Sequence, residues 1–75
     1  LYDLNDCDIY GNSLIFYAVQ AKAFESNKLL INYKASLNTT NNEGNTIYSI
    51  AAILGDYDLF KLLYNYNKDK TIFLL

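Results

Sequence analysis

The chain has 75 residues, a formal net charge of −2, one cysteine and no histidine. Small domains often rely on disulfides or a structural metal, but Cys7 alone, without histidine, excludes an internal disulfide framework and a Cys/His zinc site. The lack of histidine also excludes His-dependent nucleophilic catalysis. All six basic residues are lysines, which disfavours nucleic-acid binding, and no apolar run is long enough to span a membrane. We therefore expect this chain to be stabilised by further chain or by a partner.

Two pairs of short helices are predicted in chain order. Residues 13–21 and 46–54 are predicted to form short apolar helices, each opened by a hydroxyl residue that caps free backbone N–H groups. Residues 24–33 and 57–66 carry apolar side chains at helical spacing and are predicted to form the second helix of each pair. Residues 34–45 are polar, rich in Asn and Thr, and contain a glycine, which indicates an extended turn or hairpin between the pairs.

The sequence repeats itself at an offset of 33 residues without any gap. Ten of the 42 pairs that can be compared are identical. These pairs are Leu4/Leu37, Asn5/Asn38, Gly11/Gly44, Asn12/Asn45, Ala18/Ala51, Lys28/Lys61, Leu29/Leu62, Leu30/Leu63, Asn32/Asn65 and Tyr33/Tyr66. A fixed period of this length indicates an array of one supersecondary unit, in which each unit buries the apolar face of its neighbour.

A helix–turn–helix unit with a period of 33 residues resembles the ankyrin repeat. Residues 8–19 (DIYGNSLIFYAV) stand where that family has its D-x-x-G-x-T-P-L-H-x-A-A signature, and residues 41–52 (NNEGNTIYSIAA) fill it again. Residues 28–38 (KLLINYKASLN) match the family's K-L-L and G-A-D-V-N signature, and residues 61–71 repeat it more weakly. Gly55 matches the glycine between the two helices of a unit.

Several positions depart from the family pattern. The proline and histidine of T-P-L-H are missing, so only the hydroxyl residue remains, and we expect a cap weaker by about 1 kcal/mol. Lys34 and Asn67 replace a glycine expected in the left-handed conformation, which Asn tolerates and which costs Lys about 1 kcal/mol. Ser26 and Asn27 stand where the next repeat has the apolar pair Leu59 and Phe60. These departures describe a divergent array that depends on its neighbouring repeats.

The remaining candidates for chemistry have simpler structural interpretations. The aligned glycines of the repeated signature are predicted to be turn residues with positive φ, because the other residues of a phosphate loop are missing. Asp3, Asp6 and Asp8 alternate, but the glycine and the final glutamate of a calcium loop are absent. Cys7 has neither a histidine nor a second cysteine to activate it. We therefore predict no catalytic residue, no metal site and no cofactor.

Eight tyrosines in 75 residues is a high number, and tyrosine is enriched at binding hot spots. Three are predicted to pack inside the protein (Tyr17, Tyr48 and Tyr57), and three are predicted to point away from the core (Tyr10, Tyr33 and Tyr66). The resemblance implies a recognition surface made of hairpin tips and the exposed side of the first helices. It maps onto Ile9, Tyr10, Asn12, Gln20, Tyr33, Asn42, Glu43, Asn45, Ile53, Leu54 and Tyr66. The alternative is that these side chains pack between neighbouring repeats, or that codon bias supplies Tyr and Ile throughout the chain.

The predicted fold is all-α, an ankyrin-type solenoid of stacked helix–turn–helix units joined by hairpin-like loops. Residues 1–8 are predicted to end one repeat, residues 9–41 and 42–74 to form two further repeats, and the tail of the last to start the next unit. We expect the protein to be cytoplasmic.

The resemblance implies a non-catalytic scaffold for protein–protein interaction. Its partners would be another protein and adjoining repeats of the same chain, without nucleic acid or a membrane span. Two alternatives are a substrate-recruiting segment of a multidomain enzyme and a structural spacer in a large assembly. Exposed side chains at Tyr10, Ile53 and Tyr66 would favour binding, and buried ones would favour a spacer.

Overall fold

The computed structural model describes residues 3–72, with side chains described for residues 3–67. Four α-helices and no β-strand occur in that range. The helices are α1 (Leu14–Gln20), α2 (Phe24–Asn32), α3 (Ile47–Leu54) and α4 (Tyr57–Ile72). The predicted all-α class and the two helix pairs are therefore confirmed. The first and last residues of the predicted repeat boundaries lie outside the described part of the chain.

The two helix pairs stack and share one hydrophobic core. Helix α1 packs against α2 and α3, and α4 packs against α3 and, over a smaller contact, against α2. The core draws residues from all four helices and from the segment after α2: Ile15, Phe16, Val19, Ile31, Leu37, Ile47, Ile50, Ala51, Leu59 and Leu63. Because this core spans both pairs, each repeat buries apolar surface that it could not bury alone.

The predicted hydroxyl caps are confirmed for only one of the two first helices. At α3, the backbone N–H of Ser49 donates to Thr46 Oγ1 over 3.1 Å, and the backbone N–H of Thr46 donates to Ser49 Oγ over 3.0 Å. This reciprocal pair satisfies two N–H groups that have no partner inside the helix. At α1, Ser13 is buried and makes no cap bond within the described chain. The cap prediction was therefore wrong for Ser13.

Two lysines, Lys22 and Lys34, adopt the left-handed conformation where the chain turns without glycine. Lys34 has a φ of 68°, as predicted for the left-handed position after α2. Asn67 was predicted to be its equivalent, but this prediction was wrong because α4 continues as a helix to Ile72. Lys22 has a φ of 56° and occupies the position that Gly55 occupies one repeat later, with a φ of 71°.

The structure corrects three of the predicted tyrosine orientations. Tyr17 was predicted to face the core, but its side chain is 44% exposed and its hydroxyl donates to Asp8. Tyr57 was predicted to pack inside, but it is the first residue of α4 and remains exposed. Tyr66 was predicted to point away from the core, but it is half-buried and packs against it. Tyr48 packs against the core, as predicted.

Candidate functional site

The loop before α1, residues 8–12, is closed by the side chain of its first residue. Asp8 Oδ1 accepts hydrogen bonds from the backbone N–H groups of Tyr10 and Asn12, each over 2.9 Å. The backbone N–H of Asp8 donates to the carbonyl of Asn12, and that of Gly11 donates to the carbonyl of Asp8. A carboxylate or amide that binds N–H groups two and four residues later imposes a compact turn. We call residues 8–12 the first loop.

The loop before α3, residues 41–45, has the same hydrogen bonds one period later. Asn41 Oδ1 accepts from the backbone N–H groups of Glu43 and Asn45, each over 3.0 Å. The backbone bonds between Asn41 and Asn45 and between Gly44 and Asn41 repeat those of the first loop. Gly11 and Gly44 have φ values of +80° and +78°, which confirms the predicted turn glycines. We call residues 41–45 the second loop.

The second loop binds the backbone at the tip of the first. The backbone N–H of Asn42 donates to the carbonyl of Tyr10 over 2.9 Å, and Asn42 Nδ2 donates to the carbonyl of Ile9 over 2.7 Å. Asn41 Nδ2 donates to Asn12 Oδ1 over 3.0 Å. The backbone of Ile9 and Tyr10 is thus fixed on both sides, while their side chains are 83% and 62% exposed. The result is an ordered apolar tip in solvent.

A hydrogen bond between a tyrosine and a carboxylate changes the electrostatics beside this tip. The Tyr17 hydroxyl donates to Asp8 Oδ2, and this bond holds the pKa of Asp8 below its usual value. The backbone N–H groups of Tyr10 and Asn12 act in the same direction. The same bond to Asp8 raises the pKa of Tyr17. At neutral pH the pair therefore consists of a carboxylate and a neutral phenol.

Six of the eleven predicted surface residues lie in the two hydrogen-bonded loops. They are Ile9, Tyr10, Asn12, Asn42, Glu43 and Asn45, and the bonds between the loops bring them together. Ile9 and Tyr10 form the apolar part of this group. Asn42 and Glu43 occupy the same positions in the second loop and form a polar, exposed part.

The other five predicted residues are spread over the helix ends. Gln20 and Ile53 occupy equivalent positions near the carboxyl ends of α1 and α3, and both are exposed. Tyr33 follows α2 directly and is exposed. Leu54 is half-buried against the core. Tyr66 lies beside the segment after α2, where residues 34–38 and Asn67 line a shallow groove with it.

The sequence interpretation missed the residues that shape the tip. Asp8 was matched to the first residue of the family signature without a structural role, and Asn41 was not singled out, although each closes its loop. Asn42 was predicted as a surface residue, but it also carries the main link between the loops. The signal was present in the sequence, because Asp or Asn three residues before glycine is typical of such turns.

The exposed side chains of the two loops are apolar at Ile9 and Tyr10, polar at Asn42 and acidic at Glu43. The carboxylates of Asp3 and Asp6 each accept a backbone N–H within residues 3–6. Cys7 is a free, exposed thiol. Within residues 3–72, no helix combines the length and the apolar character needed to cross a bilayer.

Comparison with known proteins identifies the repeat. The model of a family described as ankyrin repeats (three copies) matches residues 1–73. A search of curated proteins found no significant match. The family match covers nearly the whole chain, and residues 3–72 form four helices in two stacked pairs, as in an array of helix–turn–helix units. The chain therefore belongs to the ankyrin repeat family.

Proposed function

We propose that this chain is a non-catalytic scaffold that binds another protein through its loop tips and the exposed residues of its first helices. Ankyrin repeats in general mediate protein–protein interactions, and the present proposal assigns that role to a particular surface. Its centre is the exposed pair Ile9 and Tyr10, and its flanks are the second loop and the exposed residues Gln20 and Ile53.

The ordered, exposed tip is the observation that carries this proposal. The backbone carbonyls of Ile9 and Tyr10 both accept bonds from Asn42, so the tip is already held in one conformation. A surface that is ordered before it binds loses less conformational entropy on association. Tyrosine is enriched at binding hot spots because its large ring has few rotatable bonds. An isoleucine and a tyrosine on a fixed loop are therefore well suited to fill a pocket on a partner.

A packing role is favoured at two of the predicted surface positions. Leu54 and Tyr66 are half-buried against the core, and replacing either would change the stability of the repeat as well as any surface it presents. We therefore assign the proposed binding role to the exposed residues and a structural role to Leu54 and Tyr66.

The experiment compares two well-exposed tyrosines, Tyr10 inside the proposed surface and Tyr57 outside it. The 75-residue chain is used as bait with a photo-crosslinking phenylalanine analogue at Tyr10 or at Tyr57, which is exposed on α4 outside the proposed surface. We expect the same partner to be crosslinked repeatedly from Tyr10 and not from Tyr57. Once a partner is in hand, Tyr10→Ala should weaken binding about 30-fold or more, as expected of a hot spot worth about 2 kcal/mol.

The matched control is Tyr57→Ala, which removes the same side chain from the other surface. We expect it to leave the Kd unchanged. Equal losses of affinity for Tyr10→Ala and Tyr57→Ala, or none for Tyr10→Ala, would contradict the assignment of the binding surface to the loop tips.

A further inference from the structure

An open groove of about 490 Å³ crosses the boundary between the two repeats. The first repeat contributes the turn between its helices and the start of α2, and the second contributes its own turn and the first half of α4. The lining residues are Lys22, Phe24, Asp56, Asp58, Lys61 and Leu62. We call this site the turn groove.

The turn groove is built entirely from residues whose side chains are described. The start of the described chain lies at the other end of α2, because Asn5 Oδ1 accepts the backbone N–H of Ser36. Residues of α4 beyond Asn67 lie about 9 Å or more along the helix axis from Leu62, at about 1.5 Å per residue. The shape of the groove therefore depends on the two repeats and not on either end of the sequence.

The turn groove combines an apolar part with charges of both signs. Phe24 and Leu62 form the apolar part, and the Phe24 ring stays 38% exposed although Lys28 Nζ lies 5.9 Å from its centre. Two lysines and two aspartates surround it, so the formal charges of the groove cancel. A ligand that matches this groove must itself combine apolar surface with charges of both signs.

The charges on α4 are not paired with each other, unlike their equivalents in the first repeat. Glu25 Oε2 lies 4.0 Å from Lys28 Nζ, one turn along α2. Asp58 and Lys61 occupy the same positions one period later, but among the described side chains they form no ion pair. Both are exposed, so they can pair with charges on a ligand.

Lys22 is held in the groove at a cost to the backbone. Its φ of 56° lies in the left-handed region, which disfavours residues other than glycine, and the second repeat has Gly55 at this position. Among the described side chains, Lys22 forms neither an ion pair nor a hydrogen bond that would explain a lysine here. Strained residues of this kind cluster at sites that bind ligands. The strain is an observation independent of the shape and charge of the groove.

We infer that the turn groove binds a peptide segment of a partner protein in which an apolar side chain stands between a basic and an acidic one. The apolar side chain packs on Phe24 and Leu62, the acidic one pairs with Lys22 or Lys61, and the basic one pairs with Asp58. A segment whose two charges have the same sign would bring one of them beside a like charge of the groove.

This site is separate from the loop-tip surface. The turn groove lies beyond the carboxyl ends of α1 and α3, whereas the two loops precede the amino ends of these helices. Binding in the groove therefore does not require binding at Ile9 and Tyr10, and each can be tested without the other.

The test titrates short peptides into the ¹⁵N-labelled 75-residue chain and follows its amide signals. The probes are tripeptides of lysine, phenylalanine and glutamate in both orders, with blocked ends. We expect saturable shifts centred on Lys22, Asp56, Asp58 and Lys61, with a Kd of about 1 mM for one apolar side chain and two exposed ion pairs. Shifts that do not saturate, or that spread over the whole chain, would overturn the inference.

Control peptides separate the two parts of the proposed recognition. Alanine in place of phenylalanine should remove saturable binding, and glutamine in place of both charged residues should weaken it about five-fold or more. Equal binding of any of these peptides would overturn the proposed chemistry. Free phenylalanine that binds as tightly as the tripeptide would also overturn it, because the occupant would then be a free amino acid.

Two lysine variants separate binding from folding. Lys22→Gly removes one charge of the groove and relieves backbone strain, so it should weaken the Kd of the charged tripeptide about two- to five-fold while the fold is retained. Lys34→Gly is the matched control, because it removes the same charge and the same kind of strain at the other end of α2, outside the groove. We expect it to leave the Kd unchanged. An unchanged Kd for Lys22→Gly, or equal losses for both variants, would refute the role of Lys22.

Discussion

The two repeats have the same period and the same loops, yet their helices are stabilised in different ways. The second repeat begins α3 with the reciprocal Thr46–Ser49 cap and ends it at Gly55 in the left-handed conformation. Asp56 Oδ1 then accepts the backbone N–H of Leu59 over 3.2 Å at the start of α4. Each of these local interactions is worth about 0.5–2 kcal/mol in typical helices.

The first repeat has none of these three devices in the described chain. Ser13 and Ala23 precede α1 and α2 without a side-chain cap bond. Lys22 and Lys34 adopt positive φ where glycine would be unstrained. The buried Asn27 donates to the carbonyl of Ala23 and so takes part in the turn that lacks a cap. The first repeat thus depends more on packing against the second. In a repeat array, a unit with strong local caps can stabilise a neighbour that lacks them.

Alanine at the two loop glycines should give the largest difference between the repeats. A Cβ on Gly11 would lie 2.8 Å from the backbone nitrogen of Asn42, whereas one on Gly44 would meet nothing within 4 Å. Both positions have positive φ, which costs about 1–2 kcal/mol for a residue other than glycine. Gly11→Ala adds a steric cost of about 1–3 kcal/mol. Urea unfolding of the 75-residue chain should show Gly11→Ala as clearly the less stable variant, and similar losses would contradict this account.

Exchanging Asp and Asn at the two residues that close the loops, Asp8 and Asn41, should give the next largest difference in the free energy of unfolding. Asn41 is buried and donates to Asn12, whereas Asp8 is exposed. Asn41→Asp removes that donor and places a carboxylate oxygen beside Asn12 Oδ1, so we expect a loss of about 1–3 kcal/mol. Asp8→Asn retains the acceptor for the loop and should change the free energy of unfolding much less. The reverse order of losses in urea unfolding would show that the loops are not distinguished by burial.

Replacing Lys22 by glycine should relieve backbone strain in the first repeat and make its inter-helix turn resemble the turn at Gly55 in the second. Lys22 has the positive φ that Gly55 has one period later, so Lys22→Gly relieves strain, and we expect a gain of about 1 kcal/mol. Lys61→Gly is the matched control, because Lys61 is exposed inside α4 and glycine there should cost about 1 kcal/mol. Thermal unfolding should move the two midpoints in opposite directions. A lower midpoint for Lys22→Gly would refute the proposed strain.

Acid should affect the first loop selectively, and this is the smallest expected effect. The pKa of Asp8 is lowered in the folded chain by the Tyr17 hydroxyl, so its contribution to stability is complete above its unfolded pKa and is lost as the pH falls through the folded one. Asn41 does not titrate. We therefore expect Asp8→Asn to reduce the loss of stability between pH 5 and pH 2, measured by urea unfolding at each pH. An unchanged pH profile would mean that Asp8 has the same pKa in both states.

The period of the sequence was enough to predict the array, because a repeated unit places the same residue types at the same structural positions. The loop glycines and the Thr46 cap followed from local rules that hold in any fold. The lengths of the helix pairs followed from apolar spacing. The end of α4 did not, since Asn67 fits a left-handed turn and a helix interior almost equally well.

The orientation of single tyrosines could not be predicted, because their exposure depends on which repeat covers them. Tyr17 and Ile50 occupy the same position of the repeat, and the periodicity alone predicts that both are buried. Only Ile50 has a described repeat packed against it. For the candidate surface, the sequence predicted the exposed residues of the first loop, but not the bonds from Asn42 that order them.

The hydrogen bonds between residues about one period apart have a consequence for the salt concentrations at which the stack keeps its geometry. Asn41 binds Asn12, Asn42 binds the carbonyls of Ile9 and Tyr10, the backbone N–H of Ser36 binds Asn5, and Asn67 binds Asn38. All of these groups are uncharged, so dissolved ions do not screen them as they screen ion pairs. The spacing between repeats, and with it the spacing of the loop tips, should therefore stay the same from dilute buffer to concentrated salt.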